Sequence, residues 1–438
     1  MVKSNKKMGL VFFPAFDWAI SPTHPEREER LLYTQDQVLE EGLLDIDGII
    51  ELRPSMADFS DIDRVHICIP QAQKVTTVSH LLSAGGAMAA ADAVMTKKVD
   101  CAFALVRPPG HHAMRVVCGA RGFCNVNMEA IMVEHIRHKY GRKRVAIVDT
   151  DCHHGDGTQD IYWHDPETLF ISLHQDGRTL YPGTGFIPEL GGTNAMGTTI
   201  NIPLPPHTSE EGFIYVTENI ILPILKDFQP DLVINSAGQD NHYADPITDM
   251  NFSAQGYAHL TSLLQPDIAV LEGGYSIEDA LPYVNVGIIL AMAGLSYEHV
   301  KEPDYDPVRI RQSQKTTEYI KEISEQILCL YGEAKCRRDL FIRERNSVTR
   351  ERRIYYDTDD ITEIQKEEIT VCDKCAGTLV IDSRSDKGNI CAVVIPRDAC
   401  ESCTADGRER FARLDRQKYD YVYLQDRVED NYIREGRK

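Results

Sequence analysis

Asp149-Thr150-Asp151-Cys152-His153-His154-Gly155-Asp156 follows directly on the apolar run Val145-Ala146-Ile147-Val148. An apolar run that stops at a polar cluster reads as a buried strand ending where the polar residues begin. In open α/β sheets, ligands bind outside the carboxyl ends of the strands. Asp151 and His153 are two residues apart, so on an extended segment both side chains point the same way. A carboxylate beside an imidazole makes half of a divalent-metal site. A lone Asp-x-His ahead of Gly155-Asp156-Gly157-Thr158 would read as a turn and helix cap. Here several ionisable groups crowd one strand end, and burying them without a cation is costly. The metal reading is preferred on that ground.

Three more strand ends carry polar groups. Cys101-Ala102-Phe103-Ala104-Leu105-Val106 runs into Arg107-Pro108-Pro109-Gly110-His111-His112. Asp231-Leu232-Val233-Ile234-Asn235-Ser236 runs into Ala237-Gly238-Gln239-Asp240. Residues 267–271 form a strand that ends in Glu272-Gly273-Gly274-Tyr275. Further strands are predicted at 9–13, 169–173 and 198–203. Helices are predicted before residue 41 and over 80–96, 127–140, 210–228 and 277–293. Strands alternating with helices predict an α/β fold with a largely parallel sheet and helices on both faces. Parallel strands end at one edge, so His111/His112, Asp151/His153, Asp240 and Tyr275 can converge.

These groups suit metal-assisted amide hydrolysis. Asp151, His153 and Asp240 give three protein ligands and leave a position open. The metal would activate water and polarise a carbonyl. His111 or His112 can take the water's proton and return it to a leaving amine. Asp149 and Asp156 suit the hydrogen bonds that fix imidazole tautomers. Tyr275 can donate to a developing oxyanion. Cys152 points to the opposite face and reads as core.

The chain has 438 residues, 42% of them hydrophobic, enough for one large core and an appendage. Its net charge of -20 argues for a soluble protein and against a general phosphate-binding surface. The acidic excess lies in residues 1–300; the remainder is near neutral and densely charged. The start lacks a signal peptide's apolar region, and no apolar run is long enough to span a membrane. Twelve cysteines without a secretory signal suggest reduced thiols and a cytoplasmic setting.

Residues from about 10 to 293 resemble the catalytic domain of the histone deacetylase superfamily, which has the arginase/deacetylase fold. The resemblance rests on His24-Pro25-Glu26-Arg27, the Arg107–His112 segment, Gly122-Phe123-Cys124, Asp149–Gln159, Tyr181-Pro182-Gly183-Thr184-Gly185, Asn201-Ile202-Pro203-Leu204, Ser236-Ala237-Gly238 with Asp240, and Leu271–Tyr275, in the family's order. It implies that Asp151, His153 and Asp240 hold catalytic zinc, or iron in its place. It implies that His112 is the general base and acid, with His111 its electrostatic partner and Asp149 and Asp156 their carboxylates. It makes Tyr275 the oxyanion tyrosine, Phe123 and Tyr181 the walls of an acyl-lysine tunnel, and Arg30 part of an inner product channel. It also implies potassium at Asp149, Thr150, Asp151, His153 and Ser172.

Some positions depart from the pattern. The span from His112-Ala113 to Gly122, through Met114-Arg115-Val116-Val117-Cys118, is about two residues longer. Gln239 replaces an aromatic residue, Met128 an asparagine and His207 a glycine. Ile247 stands where acetylpolyamine-selective relatives can carry a glutamate. The expected substrate is therefore an acylated lysine in a peptide or protein. The alternatives are deacetylation of small acylated amines such as acetylpolyamines, and a binding protein occluded by the longer loop.

The tail carries Val371-Cys372-Asp373-Lys374-Cys375 and Ala399-Cys400-Glu401-Ser402-Cys403. Two Cys-x-x-Cys pairs about two dozen residues apart form a four-thiolate zinc signature. The apolar runs between them, at 379–381 and 392–395, read as a β-ribbon, and so small a unit needs a metal staple. The resulting layout is a deacetylase-like domain at 1–300, a charged helical linker at 301–365, and a zinc ribbon with a helical tail at 366–438. The basic run through Arg408, Arg410, Arg413, Arg416 and Lys418 is interleaved with acids and reads as a solvated helix. The ribbon is a candidate surface for a protein or nucleic acid, and oligomerisation is open.

Overall fold

A computed structural model describes residues 2–12, 19–141 and 143–437. Among the described residues, ten strands precede residue 300. They are β1 (Lys3–Phe12), β2 (Asp47–Leu52), β3 (Ile67–Cys68), β4 (Cys101–Leu105), β5 (Val116–Val117), β6 (Val145–Asp149), β7 (Thr168–Gln175), β8 (Thr199–Leu204), β9 (Leu232–Ala237) and β10 (Ile268–Leu271). Eight of them form one sheet in the order β2-β1-β4-β10-β9-β6-β7-β8. All its neighbouring pairs are parallel. Strands β3 and β5 pair separately. The first strand extends further toward the N-terminus than predicted, and Phe13 lies outside the described residues.

Burial on both faces explains the continuous apolar runs. Along β6, Val145 and Ile147 enter one core with Ala84, Ala91, Ile131 and Ile136 of the helices Val78–Met95 and Met128–Tyr140. Ala146 and Val148 enter the other, with Leu260 and Ile288 of the helices Ala254–Leu264 and Leu281–Met292. The small residues of Val78–Met95 bring that helix close to the sheet: a Cβ at Gly86 would meet Val106 Cγ1 at 2.5 Å. The four strands predicted to end in reactive groups, β4, β10, β9 and β6, are consecutive at the centre of the sheet.

The second part of the chain is larger than a ribbon. The helix Gln314–Glu344 fills much of the expected linker, but from Ser347 the chain is strand. Strands β11 (Ser347–Tyr356), β12 (Ile361–Thr370), β13 (Leu379–Ser385), β14 (Gly388–Ile395), β15 (Tyr421–Asp426) and β16 (Asn431–Gly436) form a second sheet in sequence order. This corrects the helical linker of 301–365. Burial alternates along β12 with a period of two, which a helix cannot satisfy. It also corrects the helical tail: the helix stops at Ala412, within the basic run, and two strands follow. The predicted ribbon pair is present as the antiparallel β13–β14 hairpin. Strands β14 and β15 are parallel and are connected through the helix Glu401–Ala412.

The second sheet shares a hydrophobic cluster with the β3–β5 pair and the residues beside it. Ile67, Ile69, Met114, Val116 and Cys118 pack with Ile354, Tyr356, Ile361, Ile381 and Tyr423. The longer segment after Ala113 is thus the floor on which the second sheet rests. Tyr356 donates its hydroxyl to Val116 O at 2.7 Å or to Glu363 Oε2 at 2.7 Å. Tyr423 reaches Cys68 O at 3.0 Å, and Gln425 Nε2 donates to Asp63 O at 2.8 Å. No helix among the described residues is long and apolar enough to cross a membrane.

Tyr356→Phe should lower stability by about 1–3 kcal/mol, since it leaves buried acceptors without a donor. Denaturant unfolding of the whole chain measures this; an unchanged midpoint would mean that the junction does not contribute.

Candidate active site

Asp151 and His153 follow the end of β6 in a bend, not on an extended segment. They still converge, because Asp240 approaches from the neighbouring β9 end. Ligand atoms of Asp151, His153 and Asp240 all lie within 4.8 Å of one another. His153 Nδ1 is 2.8 Å from Asp240 Oδ2 and 3.2 Å from Asp151 Oδ1. The backbone helps set the carboxylates: Gly273 N donates to Asp151 Oδ2 at 2.7 Å and Cys152 N to Asp240 Oδ1 at 2.7 Å. A Cβ at Gly273 would lie 2.5 Å from Asp151 Oδ2 and 2.6 Å from Asp240 Oδ2, so only glycine leaves room for both. Cys152 is fully buried in the core, as its placement between the two ligands suggested.

The second layer pairs each tandem histidine with a carboxylate. His111 Nδ1 is 3.0 Å from Asp149 Oδ2, and His112 Nδ1 is 2.8 Å from Asp156 Oδ1. Burial opposes protonation of His111, yet Asp151 and Asp149 raise its pKa well above the histidine range. Burial, with the neighbouring charge of His111, lowers that of His112 to about 3. Burial and Asp151 together push the Asp240 carboxyl up to about 6. Buried carboxylates that repel one another, with an imidazole between them, are the setting that a divalent cation relieves. The O/N/O donor set fits zinc with an open position.

A cavity of about 270 Å³ lies over these groups. Its walls include His111, His112, Phe123, His153, Tyr181, Ile247, Tyr275 and Asp357. The Phe123 ring stands edge-on to Tyr275 at 5.7 Å, and Tyr181 stands edge-on to His112 at 5.2 Å. Arg30 lies behind Tyr275 and is not in the cavity wall; its guanidinium carbon is 4.9 Å from that ring. It is buried, pairs with Glu26 at 2.7 Å, and donates to Gly274 O at 2.7 Å and to Glu272 O. Of the potassium set, Asp149 and Ser172 are register partners, Ser172 Oγ lies 2.9 Å from His174 Nδ1, and Thr150 O accepts from Asn241 Nδ2 at 2.7 Å.

Several residues here had no role in the sequence reading. Glu272 accepts from the amides of Gly110 at 2.7 Å and His111 at 3.1 Å, anchoring the histidine turn. It belongs to the Glu-Gly-Gly-Tyr segment, so the signal was available. Arg121 donates to Asp156 Oδ2 through Nη2 at 2.6 Å and Nε at 3.0 Å. Asp245 accepts from Tyr275 N at 2.8 Å. Asp357 comes from the second sheet and nothing local marks it.

A family model described as the histone deacetylase domain matches residues 68–286. The chain belongs to the histone deacetylase family. A probable deacetylase of Archaeoglobus fulgidus is 45% identical over 311 residues, covering 65% of this chain and 85% of that protein. A histone deacetylase-like amidohydrolase of Pseudomonas aeruginosa is 32% identical over 261 residues, 57% of this chain and 67% of that one. The crystal structure of the HDA15 HD domain matches with a TM-score of 0.63 at 25% identity, covering 77% of this chain and 99% of that one. This histone deacetylase relative is thus an enzyme of the metal-dependent deacetylase kind. Its second sheet lies outside the matched span.

The four tail cysteines form a separate cluster, with ligand atoms again within 4.8 Å. Cys400 Sγ is 3.8 Å from Cys372 Sγ and 3.7 Å from Cys375 Sγ. A tetrahedron with Zn–S of about 2.3 Å has edges of about 3.8 Å. Both knuckles sit at one end of the second sheet, in the β12–β13 connection and at the start of Glu401–Ala412. Asn194 Nδ2 donates to the carbonyls of Cys372, at 2.7 Å, and Cys375, tying the cluster to the first part of the chain.

The purified chain should carry two divalent ions. Asp240→Asn should lose the one in the cavity and Cys400→Ser the one in the tail, each leaving the other bound. Elemental analysis per chain decides this; a variant that loses both, or neither, contradicts two independent sites.

Proposed function

We propose that this deacetylase hydrolyses the amide of an N-acylated lysine or a closely similar acylated amine. The observation that carries the proposal is the convergence of His112, His153 and Tyr275 on one cavity, with Asp151 and Asp240 beside His153. Asp151, His153 and Asp240 would hold zinc, which supplies carbonyl polarisation and a water of lowered pKa.

The side chains divide the remaining work. Asp156 holds His112 Nδ1, which leaves Nε2 to take the water's proton and hand it to the departing amine. Neutrality suits a base, and burial beside His111 keeps His112 neutral. His111, with Asp149 on its outer nitrogen, contributes a fixed positive field beside the reacting carbonyl. Burial raises the Tyr275 pKa well above its ordinary value, so the hydroxyl keeps its proton and donates to the developing oxyanion. Arg30 holds the Gly274 carbonyl and so steadies the turn that carries Tyr275. Its place near a product channel belongs to the same proposal, as does potassium at Asp149, Thr150, Asp151, His153 and Ser172.

Phe123, Tyr181 and Ile247 give uncharged walls suited to an alkyl chain, which supports acyl-lysine. Small acylated amines are the second reading, favoured by the carboxylate of Asp357 in the same cavity. The longer loop after Ala113 packs under the second sheet, away from the role of an occluding plug. The twelve free cysteines are compatible with a reducing compartment.

Turnover of an acetyl-lysine peptide beside free N-acetylputrescine tests the reading, with Asp240→Asn as control. Peptide turnover should fall to background in Asp240→Asn, by about 10²–10⁴-fold in His112→Ala and about 10²–10³-fold in Tyr275→Phe. Turnover of the free amine alone would move the assignment to small molecules. No turnover of either by the metal-loaded protein would contradict the proposal.

A further inference from the structure

The turn between β11 and β12, Asp357-Thr358-Asp359-Asp360, reaches across from the second sheet to the cavity over the candidate active site. It is pinned there by specific bonds. Asp357 Oδ1 accepts from the Gly122 amide at 3.0 Å and from the Tyr181 hydroxyl at 2.9 Å. Asp359 Oδ2 accepts from the Ala120 amide at 2.7 Å. Arg121 donates to the carbonyl of Tyr355. The loop that carries Phe123 and the aromatic wall Tyr181 are therefore both held by the appended sheet.

Asp357 is more than a fastening. Both of its bonds use Oδ1, and neutral donors such as an amide and a phenol require no charged acceptor. Among the described residues no hydrogen bond engages Oδ2 and no ion pair includes Asp357. Arg121 feels the Asp357 charge but does not pair with it: its Nε and Nη2 are committed to Asp156 and its Nη1 donates to Tyr355 O. Among the described residues lining the cavity, Asp357 is the one carboxylate, and no lysine or arginine stands with it. Asp359 and Asp360, exposed in the same turn, add negative charge nearby.

We propose that Asp357 is a substrate-binding residue of this cavity, selecting acylated amines that carry a second, positively charged nitrogen beyond the acyl group. The inference rests on the proposed deacylation. The appended sheet then completes the site, holding its wall and supplying its charge. One chemistry, a cationic N–H donor, could come from a diamine or from the free α-amine of an acylated lysine.

Matched probes separate these sources. N-acetylputrescine is paired with neutral N-butylacetamide, and Nε-acetyl-lysine amide with its Nα-acetylated counterpart. The full-length chain and Asp357→Asn are compared with each, by steady-state kinetics and by titration calorimetry. Asparagine keeps an oxygen acceptor for Gly122 and Tyr181 but removes the charge, so a purely structural role would survive it. The preference for the charged member of at least one pair should fall about 10-fold, in KM and Kd and not in kcat, as expected for losing one charge-assisted bond. The affected pair identifies the source. Turnover with an unchanged preference in both pairs overturns this inference alone. A wild-type chain that neither binds nor turns over any probe overturns it together with the proposed deacylation.

Discussion

Buried charge at one sheet edge governs this structure. Asp149, Asp151, Asp240 and Glu272 are all fully buried within the ends of three adjacent strands. Such groups persist only when paired, hydrogen-bonded or bound to a cation. Each carboxylate accordingly has backbone amides or imidazoles directed at it. His111 answers Asp149, His153 lies between Asp151 and Asp240, and the amides of Gly110 and His111 cap Glu272. Asp151 and Asp240 face one another across His153, at the position best suited to a divalent ion.

The parallel sheet makes that concentration possible. Because β4, β10, β9 and β6 are consecutive and run the same way, turns far apart in sequence end within bonding distance. Close approach then restricts the residues between them. A Cβ at Gly273 would crowd both the Asp151 and the Asp240 carboxylates, and one at Gly256 would meet Phe252 Cε2 at 2.6 Å in the core. The second sheet adds another constraint from outside. Its hydrophobic face covers the longer segment after Ala113, and its β11–β12 turn fixes the mouth of the cavity.

The parallel fold was legible because each central strand is an unbroken apolar run followed by polar residues. The convergence of Asp151, His153 and Asp240 was legible for the same reason, since the ends of parallel strands must meet. The bend at Asp151 and His153 was not, because convergence can be reached from either an extended or a bent segment. His207 illustrates a departure that the backbone explains: its φ of 61° lies in the left-handed region, where glycine is at ease. The second sheet was only partly legible. Its ribbon pair has compact apolar runs, but β11 and β12 are charged on their exposed side, and their charge masks the alternation. Asp357 was invisible, because its role arises from docking between residues 235 positions apart in the case of Gly122.

The account depends most on a metal among Asp151, His153 and Asp240. Anomalous diffraction at the zinc edge from crystals of catalytically active, zinc-loaded protein tests it directly. The account predicts one peak bounded by those three side chains and a second among Cys372, Cys375, Cys400 and Cys403. A peak at the cysteines alone, with none in the cavity of active protein, would contradict it.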